Sequence, residues 1–217
     1  MNAIRIDFVS DMACPWCAVG LSSLEQAIER MGYGVEITLH FQPFELNPDM
    51  GPEGEDIVEH LIHKYGITAE QVEQNQQHLS ERGASVGFTF KLDGRKRIYN
   101  TFDAHRLLHW ASGHSSPDAQ HRLKRALLVT YLTEGRDPSN AEVLLNAVAT
   151  AGLDATRAAD ILRGDEYANE VRQREQFYLT KGIHSVPSVI INEKYLVQGG
   201  QPVEAFERAL RQVAAES

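Results

Sequence analysis

Ala3 to Val9 is a short, mostly apolar run, and from Cys17 onward apolar residues recur at helical spacing through Leu21, Leu24, Ile28 and Met31. The pattern predicts a strand, a loop from Ser10 to Ala13, and an amphipathic helix stopped by Gly32 and Gly34. Val35, Ile37, Leu39 and Phe41 then alternate with Glu36, Thr38 and His40, the period of a half-buried strand. A helix between two strands predicts a βαβ unit with parallel strands and a right-handed crossover. From about Pro52 to about Gly182 the period is mainly helical, broken at Gly66-Ile67-Thr68, Gly83 to Gly94, Ser115-Ser116-Pro117, Gly135 to Ser139, and Gly152 to Asp154. Thr68 with Gln71, and Ser139 with Glu142, have capping-box form. Leu107, Leu108 and Ala111, then Leu123, Ala126, Leu127 and Tyr131, supply apolar faces for a helical bundle. Phe88, Phe90 and Ile98-Tyr99 predict a small hairpin around Leu92 to Arg95.

The strand signal returns near the C-terminal end. Ser188 to Ile191, a turn at Asn192-Glu193, and Tyr195 to Val197 predict an antiparallel hairpin. Gly199-Gly200 ends it, and Pro202 to about Ala214 predicts a last helix with Val203, Phe206, Leu210 and Val213 on one face. The two strand-bearing ends must join, because neither buries its sheet alone.

Composition narrows this little. A chain of 217 residues with 42% hydrophobic content can bury a full core, so one domain, or one domain with a large insertion, is expected. The formal charge of -9 argues against a general nucleic-acid or anionic-membrane partner. No apolar run approaches the roughly 20 residues that span a bilayer. The N-terminus enters the first strand without a basic or apolar leader pattern, so a cytoplasmic protein is expected, where thiols are held largely reduced.

The chemistry converges on Cys14-Pro15-Trp16-Cys17, which holds both cysteines of the chain between the first strand and helix. A pair at this spacing at a helix start is the signature of a thioredoxin-like redox centre. Cys14 falls at the cap, where free N–H groups and the macrodipole favour an anion. The amides of Trp16 and Cys17 can stabilise its thiolate, lowering its pKa below the ordinary thiol value of about 8.5. Pro15 suits the first helical position, which needs no N–H donor. Cys17, a turn deeper, is placed to attack a mixed disulfide on Cys14, so Cys14 is the expected nucleophile and Cys17 the resolving thiol. A zinc site would need two more ligands, for which His105 and His109 are the nearest suggestion, and no metal is expected. A structural bridge closing so short a loop would restrict the unfolded chain little. Asp11 is read first as a loop-forming residue and only second as an acid or base. Trp16 offers either a flat apolar surface to a partner or local packing beneath the loop.

The element order β-α-β, helices, β-β-α is that of an α/β thioredoxin-like fold with a large helical insertion. The boundaries expected are residues 1–47 and 183–217 for the thioredoxin-like part and 48–182 for the insertion. In this fold a proline before the third strand follows a cis peptide bond and faces the cysteines. Val186-Pro187 occupies that position and is expected to be cis.

The stretches SDMACPWCAVG, NTFDAHRLLHWA, LLVTYLTEGRDPSNAEVL and VPSVIINEKYLVQGGQP resemble the DsbA-like thioredoxin family, specifically its FrnE-like branch, over essentially the whole chain. The resemblance implies a protein disulfide oxidoreductase or isomerase with Cys14 as nucleophile, Cys17 as its partner and Pro187 as the cis-proline. Pro15, Trp16, Val186 and Pro187 would meet the substrate. The helix carrying Asn100 to Trp110, with Asn100 and His105, would border the groove. Thiol- or disulfide-containing proteins are the expected partners. No cofactor is expected beyond the cysteine pair, with glutathione a candidate redox partner. Secreted DsbA oxidants often carry a histidine between the cysteines, where this chain has Pro15-Trp16, so the redox direction is left open. Kappa-class glutathione transferases and 2-hydroxychromene-2-carboxylate isomerases share the architecture and the Ala-His-Arg pattern, but typically carry serine in place of Cys14 and an acid after the glycine of the last loop. Here that loop reads Gly200-Gln201-Pro202. A glutathione-dependent isomerase or transferase is therefore the alternative, and a holdase for unfolded chains a further one.

Overall fold

The structure, a computed structural model, describes residues 3–91, 95–114, 116 and 118–216. In chain order the elements are β1 (Ala3–Ser10), α1 (Pro15–Met31), β2 (Glu36–Pro43), β3 (Glu55–Asp56), α2 (Ile57–Tyr65), α3 (Ala69–Ser85) and β4 (Arg97–Ile98). There follow α4 (Phe102–Ser112), α5 (Ala119–Leu132), α6 (Ala141–Thr150), α7 (Ala155–Arg163), α8 (Ala168–Thr180), β5 (Ser188–Ile191), β6 (Tyr195–Gln198) and α9 (Val203–Glu216).

The main sheet has the order β2-β1-β5-β6. β1 runs parallel to β2, from Ala3 opposite Glu36 to Ser10 opposite Pro43, and antiparallel to β5. β5 and β6 form the expected hairpin, and its turn residues Asn192 and Glu193 both adopt positive φ (50° and 57°), as a two-residue type I′ turn requires. The Asn192 side chain and amide exchange 2.8 Å hydrogen bonds with the Arg5 backbone, pinning the turn to β1.

Side chains alternate across β1, so the chain ends share one sheet with two covered faces. Ile4, Ile6 and Phe8 pack with Leu21 and Leu24 of α1 and Phe206 and Leu210 of α9, all fully buried. Val9 joins Phe44, Tyr178 and Ile183 in a smaller cluster, to which α8 contributes Tyr178. Each large apolar side chain buried this way contributes about 1.5–3 kcal/mol. The α4–α7 helices enclose a second core around Leu107, Leu123, Leu127, Leu144 and Val148, and Met12 from the loop after β1 reaches into it. Gln120 of α5 accepts from the Phe41 amide and donates to the Phe41 carbonyl (both 2.9 Å), satisfying the outer edge of β2 and seating the bundle on the sheet. This is the thioredoxin-like arrangement with a helical insertion.

Local readings of the helical block divide. The Thr68–Gln71 capping box is present. At α6 the cap is Asn140, whose side chain accepts from the amides of Glu142 and Val143, while Ser139 bonds to Asp137. Asn caps as well as Ser, and Asp137 had already engaged the serine. Ile98 pairs with Glu55 across β3 and β4, not with the Phe88 segment. Phe88 and Phe90 instead pack against each other with tilted rings, centroids 4.8 Å apart, and of the expected turn at Leu92 to Arg95 residues 92–94 lie outside the described residues, as do Ser115 and Pro117. The break between α7 and α8 at Gly164 was not anticipated.

Candidate active site

The first turn of α1 shapes the cysteine pair. Cys14 is the N-cap, its backbone extended (φ -90°, ψ 109°), and Pro15 opens the helix. The Cys17 amide donates to the Cys14 carbonyl at 3.0 Å, so Cys17 faces inward and is fully buried, while Cys14 is 5% exposed. Both thiols are free. The Cys17 thiol, first of all, favours the Cys14 thiolate; with the amides of Cys17 and Trp16 it outweighs burial and the Asp11 charge, so the Cys14 pKa is lowered. Burial and the neighbouring Cys14 push the Cys17 thiol well above its ordinary value. The two thiols thus differ in kind, Cys14 ionising more readily than an ordinary thiol and Cys17 less readily.

Across from the pair lies the start of β5. The Val186–Pro187 peptide is cis, and the Cys14 Sγ–H donates to the Val186 carbonyl at 3.5 Å. Two glycines permit this approach. A Cβ on Gly20 would stand 2.9 Å from Pro187 Cγ, and one on Gly200 would meet the Trp16 ring and carbonyl at 3.1 Å. Gly199, at φ 82°, donates its amide to the Pro187 carbonyl (2.8 Å), tying the final loop to the proline. Gly199-Gly200 therefore does more than end the hairpin.

Beneath the cysteine loop is a buried polar group that sequence reading undervalued. Asp11 accepts from the amides of Ala13 (3.1 Å) and Leu46 (2.7 Å). Burial favours its neutral form, but His105 and these amides outweigh that and lower its pKa. His105 Nε2 is 3.6 Å from Asp11 Oδ1, and both side chains are 1% exposed. Lys124 of α5 is fully buried beside them, its Nζ donating to Met12 Sδ at 3.2 Å. Lys124 follows Leu123 in a helix whose apolar face was clear, but nothing in that periodicity marks a lysine as inward-facing.

Above the pair a groove of about 440 Å³ opens between α2, α3 and the cysteine loop. Cys14, Pro15 and Trp16 line it with Leu61, Tyr65 and Leu79, and Lys64, His78 and Arg95 add polar edges. The Trp16 ring stands edge-on to His78 at 5.7 Å, so it both packs locally and presents a surface to the groove.

The structure does not bring all the expected residues together. Pro15 and Trp16 border the groove, the Val186 carbonyl meets Cys14, and Pro187 follows Val186 across the cis peptide bond. Asn100 accepts from the Phe102 amide (2.8 Å) at the start of α4, and His105 turns inward to Asp11. Neither lines the groove. His109 packs against the Tyr167 ring, 5.4 Å between centroids.

A thioredoxin-like sheet carrying a paired-cysteine helix start opposite a cis-proline defines the class of thioredoxin-fold redox proteins. The chain belongs to the DSBA-like thioredoxin domain family, whose model matches residues 5–211. A crystal structure of a probable DsbA oxidoreductase from Streptomyces coelicolor is 32% identical with a TM-score of 0.87, over 99% of this chain and 91% of that one. Cytosolic disulfide reductase DsbM from Pseudomonas aeruginosa, in a structure with GSH, is 17% identical (TM-score 0.64, 97% and 99% covered). A 2-hydroxychromene-2-carboxylate isomerase is 14% identical (TM-score 0.70, 98% and 99% covered). The last two likenesses extend to the fold alone. No described helix is long and apolar enough to cross a membrane.

Proposed function

We propose that the protein exchanges disulfides with protein or small-thiol substrates through Cys14 and Cys17. The observation that carries this reading is the placement of Cys14 at the N-cap of α1, its Sγ 3.5 Å from the carbonyl of Val186 at the cis Val186–Pro187 peptide, with the thiolate favoured there. In the reductive direction the Cys14 thiolate attacks a substrate disulfide, forming a mixed disulfide and expelling one substrate thiolate. Cys17 then attacks Cys14 Sγ, closing the pair and releasing the second thiolate. In the oxidative direction a substrate thiolate attacks Cys14 of the closed pair, and a second substrate thiol displaces it. Relative potentials decide which way the exchange runs.

The backbone at Val186 is suited to hold an extended substrate as an added strand, with the apolar groove taking its side chains. Residues 48–182 act in this reading as an inserted domain that roofs the groove, on residues 1–47 and 183–217. The reaction needs no cofactor beyond the cysteines, and glutathione serves as a candidate redox partner; the DsbM relative was determined with GSH. That relative is described as cytosolic, which supports the cytoplasm as the place of action.

The test is a trap. Cys17→Ser incubated with insulin or oxidised glutathione accumulates a mixed disulfide on Cys14, identified by mass, while Cys14→Ser forms none and turns nothing over. Equal adduct formation by both variants would overturn the assigned roles.

A further inference from the structure

The groove above the cysteines differs in charge from the chain that forms it. The protein has a formal charge of -9, from 30 acidic and 21 basic residues, yet no carboxylate is among the described residues lining this groove, whereas Lys64 and Arg95 are. Both cations have neutral neighbours. Lys64 Nζ, on the last turn of α2, donates to the Leu46 carbonyl (2.7 Å) and to Asn47 Oδ1 (2.5 Å). Arg95, just before β4, is only 5% exposed, and its Nε–H has no hydrogen-bond partner among the described residues. Its guanidinium carbon lies 5.2 Å from the centroid of the Tyr131 ring, whose hydroxyl donates to the Arg97 carbonyl (2.9 Å). Among the described residues no salt bridge reaches either cation. Glu55 touches the groove's edge only through His60, whose Nδ1 it holds at 2.5 Å. A guanidinium taken out of water without a counter-charge is costly, and a carboxylate satisfies it through two parallel N–H bonds.

We propose that Arg95, with Lys64 beside it, forms a carboxylate subsite of this groove, so that the preferred substrates are disulfides bearing a carboxylate close to the sulfur that Cys14 attacks. This inference rests on the exchange reading. Arg95 and Cys14 line the same cavity of about 440 Å³, a size suited to a small ligand or a few side chains. Leu61, Tyr65 and Leu79 supply apolar wall between the polar edges, and a charge contact made there is screened less than one at an open surface. Arg95 is then a specificity-determining residue, holding the acidic end of a substrate while Cys14 takes one of its sulfurs and expels the other as a thiolate. The carboxylate belongs either to a small acidic disulfide or to an Asp or Glu next to the cysteine of a polypeptide. Both present the same group to the guanidinium.

The test compares disulfides that share a two-carbon arm and differ at its end: dithiodipropionate (carboxylate), hydroxyethyl disulfide (neutral) and cystamine (ammonium). Rates of oxidation of the reduced protein at neutral pH are read by acid quench and intact mass, each divided by the rate of free mercaptoethanol with the same disulfide to remove intrinsic reactivity. A peptide pair joined through cysteine to mercaptoethanol, with Asp or Asn beside the cysteine, is run alongside. Wild type is expected to favour the carboxylate over its neutral counterpart by about tenfold in at least one series. Preference in the first series alone marks a small acidic disulfide as the source, and in the second alone an acidic polypeptide. In Arg95→Met the preference collapses, and in Arg95→Lys, which keeps the charge without the planar fork, part of it returns. No preference in wild type, or a full preference in folded Arg95→Met, would overturn the proposal. If that variant does not fold, NMR of wild type decides: the Arg95 Nε–H signal shifts on titration with propionate, and a signal that stays in place would overturn the proposal. Reaction of wild type with none of these disulfides would instead remove the exchange reading, and the subsite with it.

Discussion

Cys14 Sγ donates to the carbonyl of Val186, 172 positions further along the chain, and this 3.5 Å contact joins the two ends of the molecule at its chemical centre. The thiol arrives on a helix cap and the carbonyl on the approach to β5, and the shared sheet sets their spacing. Disturbing either side therefore alters reactivity and fold together.

The lowered Cys14 thiol has a direct pH signature. Alkylation of the reduced protein by iodoacetamide, followed by mass on the peptide carrying residue 14, rises with a midpoint below the ordinary thiol value of about 8.5. Cys17 in the same sample stays unmodified, because it is buried and its thiol is pushed up.

Gly20 keeps α1 against the proline. A valine there places its Cβ 2.9 Å from Pro187 Cγ, a rigid ring that cannot swing aside as a flexible chain end does. Gly20→Val is expected to lose about 1–3 kcal/mol in urea unfolding, with exchange slowed as Pro187 is pushed from the cysteines. Unchanged stability would show that the loop yields freely.

Glu45 is expected to make stability depend on pH. Burial and the neighbouring Glu175 raise its carboxyl to about 7, although Arg172 bonds to it. The folded state keeps that proton up to about pH 7, whereas the unfolded chain loses it near about 4.3. The folded state therefore binds more protons in this window, and stability is lost as pH rises through it. Thermal melts of wild type and Glu45→Gln should diverge in the variant's favour between about pH 5 and 8, by on the order of 2–3 kcal/mol. A constant difference across the window would contradict the raised carboxyl.

Arg106 tests how the insertion is tied together. Its buried guanidinium donates to Asp103 and to the carbonyls of Ile161, Gly164 and Glu166 at 2.6–2.9 Å, clamping α4 to the α7–α8 connection. Arg106→Ala leaves those acceptors unpaired and is expected to destabilise by about 3 kcal/mol, read as a lower urea midpoint.

Much of this arrangement is written locally in the chain. The period of two from Val35 to Phe41, the helical spacing from Cys17 to Met31 and the Asn192-Glu193 turn each act over a few residues, and the strands and hairpin stand where they predict. The cysteine spacing at a strand-to-helix boundary was equally plain. What stayed hidden depends on packing between distant segments. Lys124 looks like any lysine on an amphipathic helix until Met12 covers it, and His105 turns to Asp11 only once α4 lies behind the first loop. The β3–β4 pairing joins Asp56 to Arg97 across forty-one positions, with two-residue strands too short to carry a period. Asn140 displaced Ser139 as a cap because both are good caps and the choice turned on Asp137.

Cys14 and Cys17 are expected to form a reversible redox couple. It is tested most directly by equilibrating the wild-type protein in a graded series of reduced and oxidised glutathione, quenching with acid, and counting free thiols by intact mass. A single two-electron transition from dithiol to internal disulfide, reached from either direction, is expected. A midpoint near about -270 mV marks a reductase, and one near about -200 to -120 mV an oxidant or isomerase. A protein that keeps both thiols throughout, or holds a glutathione adduct on Cys14 that Cys17 never displaces, would contradict a Cys14–Cys17 redox couple.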